Sequence, residues 1–205
     1  MASRIMHLAV SEKVAKHFEL DLGRFNYGNL LPDAHESTRE AKAVSHFRIR
    51  REAYENSKAL DYQYFDFDRF LSKYKSKIHD DLYLGYYCHL ITDEIWIQNV
   101  YIKYMRDEHR KKRIDQEENY YHDFAKLNQI IIEKYDLKMN VEMGSFQIGE
   151  IDEEKISDIM KGLEQDFKVD YDDLTLLLFD EGDIMNFVDE TSSRIIMEIE
   201  MRGLR

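Results

Sequence analysis

His89 and Asp93 stand four residues apart in the stretch GYYCHLITDEIW, and they are the residues of this chain best placed to do chemistry. On a helix, residues at i and i+4 lie one above the other on the same face, so an imidazole and a carboxylate can converge on one point. That is the geometry of a metal site. Groups of the same kind come earlier: His46 in SHF, Asp33 in GNLLPDAH and His7 in MHLAV. Pro32 forces Leu31 out of the right-handed helical region and stiffens the turn that aims the Asp33 carboxylate. Each residue also has an ordinary structural use. A buried histidine is commonly a hydrogen-bonded core residue, and an aspartate after proline commonly forms a turn or a helix cap. The pair gains weight from its company rather than from its spacing alone.

The elements that must position these groups read as helices. With 34% charged residues, 8 glycines and 1 proline, the chain has little turn or strand punctuation, so a mainly α fold is expected. Apolar residues recur at helical spacing from Ser3 to about Glu19, with Gly23 as a stop and residues 22–36 as a loop. A second helix is expected from a Ser37 or Thr38 cap through SHFRIRREAYENSKAL, and a short one from Asp66 or Asp68 carrying Phe70, Leu71 and Tyr74. From about 78 to 105 the sequence is apolar nearly all round, which predicts a central buried helix that carries His89 and Asp93. Further helices are expected over 119–135, 153–167 and 182–202. MNVEMGSFQIGEI alternates weakly, so a short β-hairpin is expected near 140–150, with the segment DDLTLLLFDEGD extended beside it. The whole is read as one domain, 1–205, a helical bundle around the central helix.

Composition limits what such a domain can do. A hydrophobic fraction of 43% in 205 residues is enough for a sizeable core, in line with a single globular domain. Forty-one acidic against 29 basic side chains give a formal charge of −12, which repels a polyphosphate backbone and disfavours nucleic acid as a partner. The single cysteine excludes an intrachain disulfide, and charges interrupt the N-terminal segment before any apolar signal core forms. No apolar stretch approaches the roughly 20 residues that span a bilayer. A cytoplasmic protein is expected.

The order of an early histidine, then GNLLPD, then SHF, then GYYCHLITD resembles the zinc-dependent phospholipase C family. The likeness is one of motifs, closest over about 6–93 and looser over 120–128. It implies an all-helical fold whose zinc cluster hydrolyses phosphoric esters. Carried onto this chain, it implies His46, His89 and Asp93 as ligands of a principal metal. Asp33 becomes a further ligand or the catalytic base that deprotonates a bound water, and His7 the ligand of a second metal that Asp93 bridges. His122 and Asp123 are implied as second-metal or substrate contacts, with a plain helix surface as the other reading. The family pattern supplies a histidine after the His-x-x-x-Asp pair and a later His-x-x-x-Glu; here EIWIQNV and the Lys126 position replace them. One or two ions are therefore expected rather than three. Imidazole and carboxylate without thiolate suit zinc, and manganese or iron accept the same set.

The expected function is a metal-dependent hydrolase of a small soluble phosphate ester, since no cationic amphipathic membrane face is evident. Two other readings stand beside it. An HD-type phosphohydrolase would use an adjacent His-Asp pair, for which His79-Asp80 and His122-Asp123 are the candidates. A non-catalytic helical interaction protein would keep a metal only as a staple. Among the remaining residues, Cys88 reads as core, Trp96 as core or as a wall of the site, and His35 as solvated. Arg48, Arg50 and Arg51 read as a solvated helix face, although one of them could reach a substrate phosphate.

Overall fold

The computed structural model describes residues 1–50, 63–107, 109 and 111–205. Its first helix, α1 (Arg4–Phe18), starts where Ser3 accepts the Met6 N–H and stops at Glu19, which takes a left-handed conformation (φ 53°). The expected loop over 22–36 is largely helical. Asp21 caps α2 (Leu22–Leu30) by accepting the Arg24 N–H, and Gly23 lies inside that helix rather than ending α1. The reason is close packing. A Cβ on Gly28 would stand 1.8 Å from the Leu82 carbonyl oxygen, and one on Gly85 would stand 2.1 Å from that of Phe25. These glycines let two helix backbones touch, which is a different use from punctuation.

Leu31 keeps right-handed helical angles (φ −56°, ψ −38°) in spite of Pro32, contrary to expectation, so the chain runs on into a 3₁₀ turn over Leu31–Asp33. Helix α3 (Arg39–Ser45) then begins at Thr38, whose hydroxyl accepts the Ala41 N–H. The long helix expected from here is cut short. Phe47 adopts φ 50°, and strand β1 (Arg48–Arg50) follows, pairing antiparallel with β2 (Gln63–Phe65) so that Arg48 faces Phe65. A left-handed conformation costs a residue with a Cβ about 1–2 kcal/mol. Burial offsets it here: the Phe47 ring packs edge-on to Phe70, Tyr74 and Tyr86, and its carbonyl accepts the Asp66 N–H at 2.7 Å. The rest of that expected helix, 51–60, lies outside the described residues.

Asp66 caps α4 (Phe67–Lys73), as its sequence implied. Asp80 caps α5 (Asp81–Ile95), which is buried at every position from Leu82 to Asp93. The helix expected over about 78–105 continues as a π-helical segment (Trp96–Tyr101) and then α6 (Ile102–Met105). Such π segments widen a helix and recur beside functional sites; this one begins three residues after Asp93. Next come α7 (Glu117–Tyr135), α8 (Ile156–Asp166) and α9 (Glu181–Met201). Helix α5 packs against α1, α2 and α9, so the expected all-α body around a central helix is observed.

The hairpin expected near 140–150 is not formed, nor is its pairing with 172–183. The backbone groups of these segments go elsewhere: Glu142 donates to the Gly23 carbonyl and Gln147 to the Tyr83 hydroxyl, each at 3.0 Å. The N–H groups of Leu177, Leu178 and Phe179 all go to the Asp123 carboxylate. A weak alternation cannot make a ladder when helix-borne acceptors take its donors first.

Candidate metal centre

Four segments deliver one cluster. Helix α1 brings His7, the 3₁₀ turn brings Asp33, the C-terminal end of α3 brings His46, and α5 brings His89 with Asp93. The side chains of His7, His46, His89 and Asp93 are sealed, while Asp33 is 17% exposed.

The tautomers follow from the backbone. His89 Nδ1 lies 2.7 Å from the Asn29 carbonyl oxygen, which can only accept, so Nδ1 carries the proton and Nε2 presents a lone pair. His46 Nδ1 lies 3.1 Å from the Lys42 carbonyl and 2.9 Å from Ser45 Oγ, which fixes the same tautomer. The two Nε2 atoms are 3.3 Å apart, and His46 Nε2 is 3.5 Å from both Asp33 Oδ1 and Asp93 Oδ2. Neither nitrogen has a hydrogen to give, so this is acceptor against acceptor rather than a hydrogen bond. A carbonyl holding Nδ1–H is also the usual second-layer support of a ligating histidine.

His7 stacks on His89, with centroids 3.9 Å apart and planes within 1°, and its Nε2 lies 3.4 Å from Asp93 Oδ1. That same oxygen accepts the Ala2 N–H at 3.1 Å. Asp93 therefore divides its oxygens, Oδ1 toward His7 and Oδ2 toward His46, His89 and Arg48. Two triads result, His7–His89–Asp93 and Asp33–His46–His89, in each of which one ligand atom per residue lies within 4.8 Å of the others.

Burial pushes His89 down to about 3, helped by the neighbouring His7, and pushes His46 down against the pull of Asp33. Both imidazoles are neutral near pH 7. Burial alone would push the carboxyls up, but contact with His46 and the field of His89 hold Asp33 well below the ordinary range. Contact with His7 and the fields of His89 and the Met1 amino group do the same for Asp93. Neutral imidazoles with ionised carboxylates are the protonation states a divalent cation requires.

The donor set fits such an ion. Asp33 Oδ1, Asp93 Oδ2 and both ring nitrogens of His7 are buried with no hydrogen-bond partner among the described residues. Buried polar atoms are ordinarily paired, and leaving several unpaired together is costly unless a cation compensates them.

The structure does not bring His122 and Asp123 into either triad. His122 is partly exposed, and the fully buried Asp123 accepts the backbone N–H groups of Leu177, Leu178 and Phe179 at 2.7–3.0 Å. Its carboxylate is committed to fastening a chain segment. The other adjacent pair is committed too: Asp80 takes two 2.6 Å bonds from Arg24 and caps α5, while His79 Nδ1 lies 3.2 Å from the Leu204 carbonyl. Trp96 is core, its Nε1 donating to the Tyr120 hydroxyl at 3.2 Å, and Cys88 is fully buried.

Sequence reasoning missed two participants and put a third in the wrong setting. The Asn29 and Lys42 carbonyls carry no side-chain signal at all. Arg48, expected on a solvated helix face, is on β1 with its side chain 11% exposed and Nη2 3.9 Å from Asp93 Oδ2. Its place two residues after His46 was the available hint. A comparison with known protein families, curated proteins and solved structures finds no match to this chain.

Proposed function

We propose that this protein is a metal-dependent hydrolase of phosphoric esters, binding one or two zinc ions and related to the zinc-dependent phospholipase C family. The observation that carries the reading is the pair of triads His7–His89–Asp93 and Asp33–His46–His89, in which Asp33 Oδ1, Asp93 Oδ2 and both His7 ring nitrogens have no hydrogen-bond partner among the described residues. His46, His89 and Asp93 would hold the principal ion, with Asp33 as a further ligand or as the base. His7 with the second oxygen of Asp93 would hold another. When bound, such an ion polarises a phosphoryl oxygen and lowers the pKa of water from about 15.7 towards 7.

The chain's own groups do the rest. Asp33 is the one carboxylate of the set that reaches solvent, and it is ionised near pH 7, so it can take a proton from an entering water. Its aim is set by the Pro32 turn. The Asn29 and Lys42 carbonyls keep His89 and His46 from rotating or switching tautomer. Sealing of the inner ligands excludes bulk water from the charged centre and strengthens every interaction within it.

Metal analysis of protein purified without added metal should find zinc or a similar ion, and His89→Ala should lose it; a metal-free wild type ends the proposal. Activity toward a panel of phosphate mono- and diesters should disappear with chelator and return with zinc. One observation favours a second reading: with four ligands sealed, an ion here would also serve as a staple between α1, α3 and α5. A metal-loaded protein inert toward the whole panel would establish that non-catalytic role instead. Neither adjacent pair of the HD-type reading enters the two triads, and Asp80 and Asp123 have other partners, which favours the reading above.

A further inference from the structure

We infer that Arg48 makes this centre a receptor for a phosphate dianion, so that its substrate class is the phosphomonoester rather than a zwitterionic phospholipid. The inference rests on the phosphoric-ester reading above and adds to it the group that meets the substrate.

Exposure defines the approach. His7, His46, His89 and Asp93 have side chains at most 1% exposed, whereas Asp33 and Arg48 are 17% and 11% exposed. Asp33 and Arg48 are therefore the members of this group that reach the surface. The guanidinium is held in place: Arg48 faces Phe65 in the β1–β2 pairing, and its Cζ lies 4.9 Å from the centre of the Phe65 ring. The left-handed turn at Phe47 sends His46 and Arg48 toward the same carboxylate, with Asp93 Oδ2 3.5 Å from His46 Nε2 and 3.9 Å from Arg48 Nη2.

The Arg48 guanidinium sets the sign of what can bind. A planar guanidinium presents parallel N–H donors that match two phosphate oxygens at once. A monoester carries close to two negative charges at pH 7, since its second pKa is about 6, and a diester carries one. A cationic headgroup would instead meet the Arg48 guanidinium.

The test uses inorganic phosphate as the probe, titrated calorimetrically into zinc-loaded protein whose metal content is measured in parallel. Wild type should bind phosphate, and Arg48→Gln should bind about tenfold more weakly at unchanged zinc content. Arg48→Lys keeps the charge and guards against misfolding of the first variant; it should also bind more weakly, because an ammonium cannot form the paired bonds. In turnover, Arg48→Gln should raise KM for a phosphomonoester more than for a diester. Zinc-loaded wild type that ignores phosphate, or folded variants with wild-type phosphate affinity, would overturn the inference and leave Arg48 as an internal counter-ion of Asp93. Wild type that holds no zinc would instead overturn the underlying reading, so the two failures are distinct.

Discussion

At the residue scale, the same residue type serves opposite purposes in this protein, and hydrogen-bond accounting tells them apart. Among the described residues, Asp93 and Asp33 each keep a buried oxygen without a hydrogen-bond partner, whereas Asp123 is saturated by three backbone donors. The first two belong to the candidate metal triads, and the third fastens 177–179 to α7. Asp123→Ala should cost about 3 kcal/mol of stability, since it orphans several donors to a charged acceptor. Denaturant titration measures that loss, and zinc content should not change; lost zinc would return Asp123 to the ligand set. Burial pushes the Asp123 carboxyl up, but the Leu177, Phe179 and Leu178 N–H groups outweigh it and hold it below its ordinary value. Its contribution is therefore complete above the unfolded carboxyl pKa of about 3.9 and is lost as pH falls through the lower folded value. The wild-type and Asp123→Asn stability curves should accordingly converge below about pH 4.

At the scale of elements, the crossing of α2 on α5 sets the orientation of His89. The contact is backbone to backbone at Gly28 and Gly85, and it brings the Asn29 carbonyl to His89 Nδ1 at 2.7 Å. Gly28→Ala would place a methyl group 1.8 Å from a carbonyl oxygen that cannot rotate away. The helices must then separate, at a cost of about 3 kcal/mol. Urea unfolding should show the loss, and the folded variant should bind zinc more weakly because the His89 tautomer is no longer held. Unchanged affinity in a destabilised variant would show that Asn29 does not govern the site. This crossing also explains why α2 was hidden in the sequence. Gly23 and Gly28 look like loop residues until the helix that presses on Gly28 is known.

At the scale of the whole molecule, the cluster joins segments from positions 7 to 93, and α9 closes over the same α1–α5 pair. An ion held there would cross-link four segments of the native chain and none of the unfolded chain. Free zinc at about 100 times its dissociation constant should add about 2.7 kcal/mol. For a chain of this size, that is a rise in Tm of roughly 5–10 °C. Thermal unfolding with zinc and with chelator should show that difference in wild type and should not show it in His46→Ala. A surface cavity of about 670 Å³ lined by Tyr27, Phe146, Ile156 and Met160 shares no residue with the cluster. Among the described residues, no helix is long and apolar enough to cross a membrane.

The sequence by itself determined the helical class, the central buried helix and the five residues that converge, because these depend on periodicity and on residue type. His89 and Asp93 were legible from their spacing, and His7, Asp33 and His46 from their order. Tertiary structure alone decided the rest. It made a helix of 22–30 and left 140–150 irregular. It ended α3 at His46 and took Asp123 away from the site. It turned Arg48 from solvent to Asp93. Each of these depends on which backbone groups find partners in distant segments, and a main-chain carbonyl such as that of Asn29 leaves no mark on a pattern of side chains.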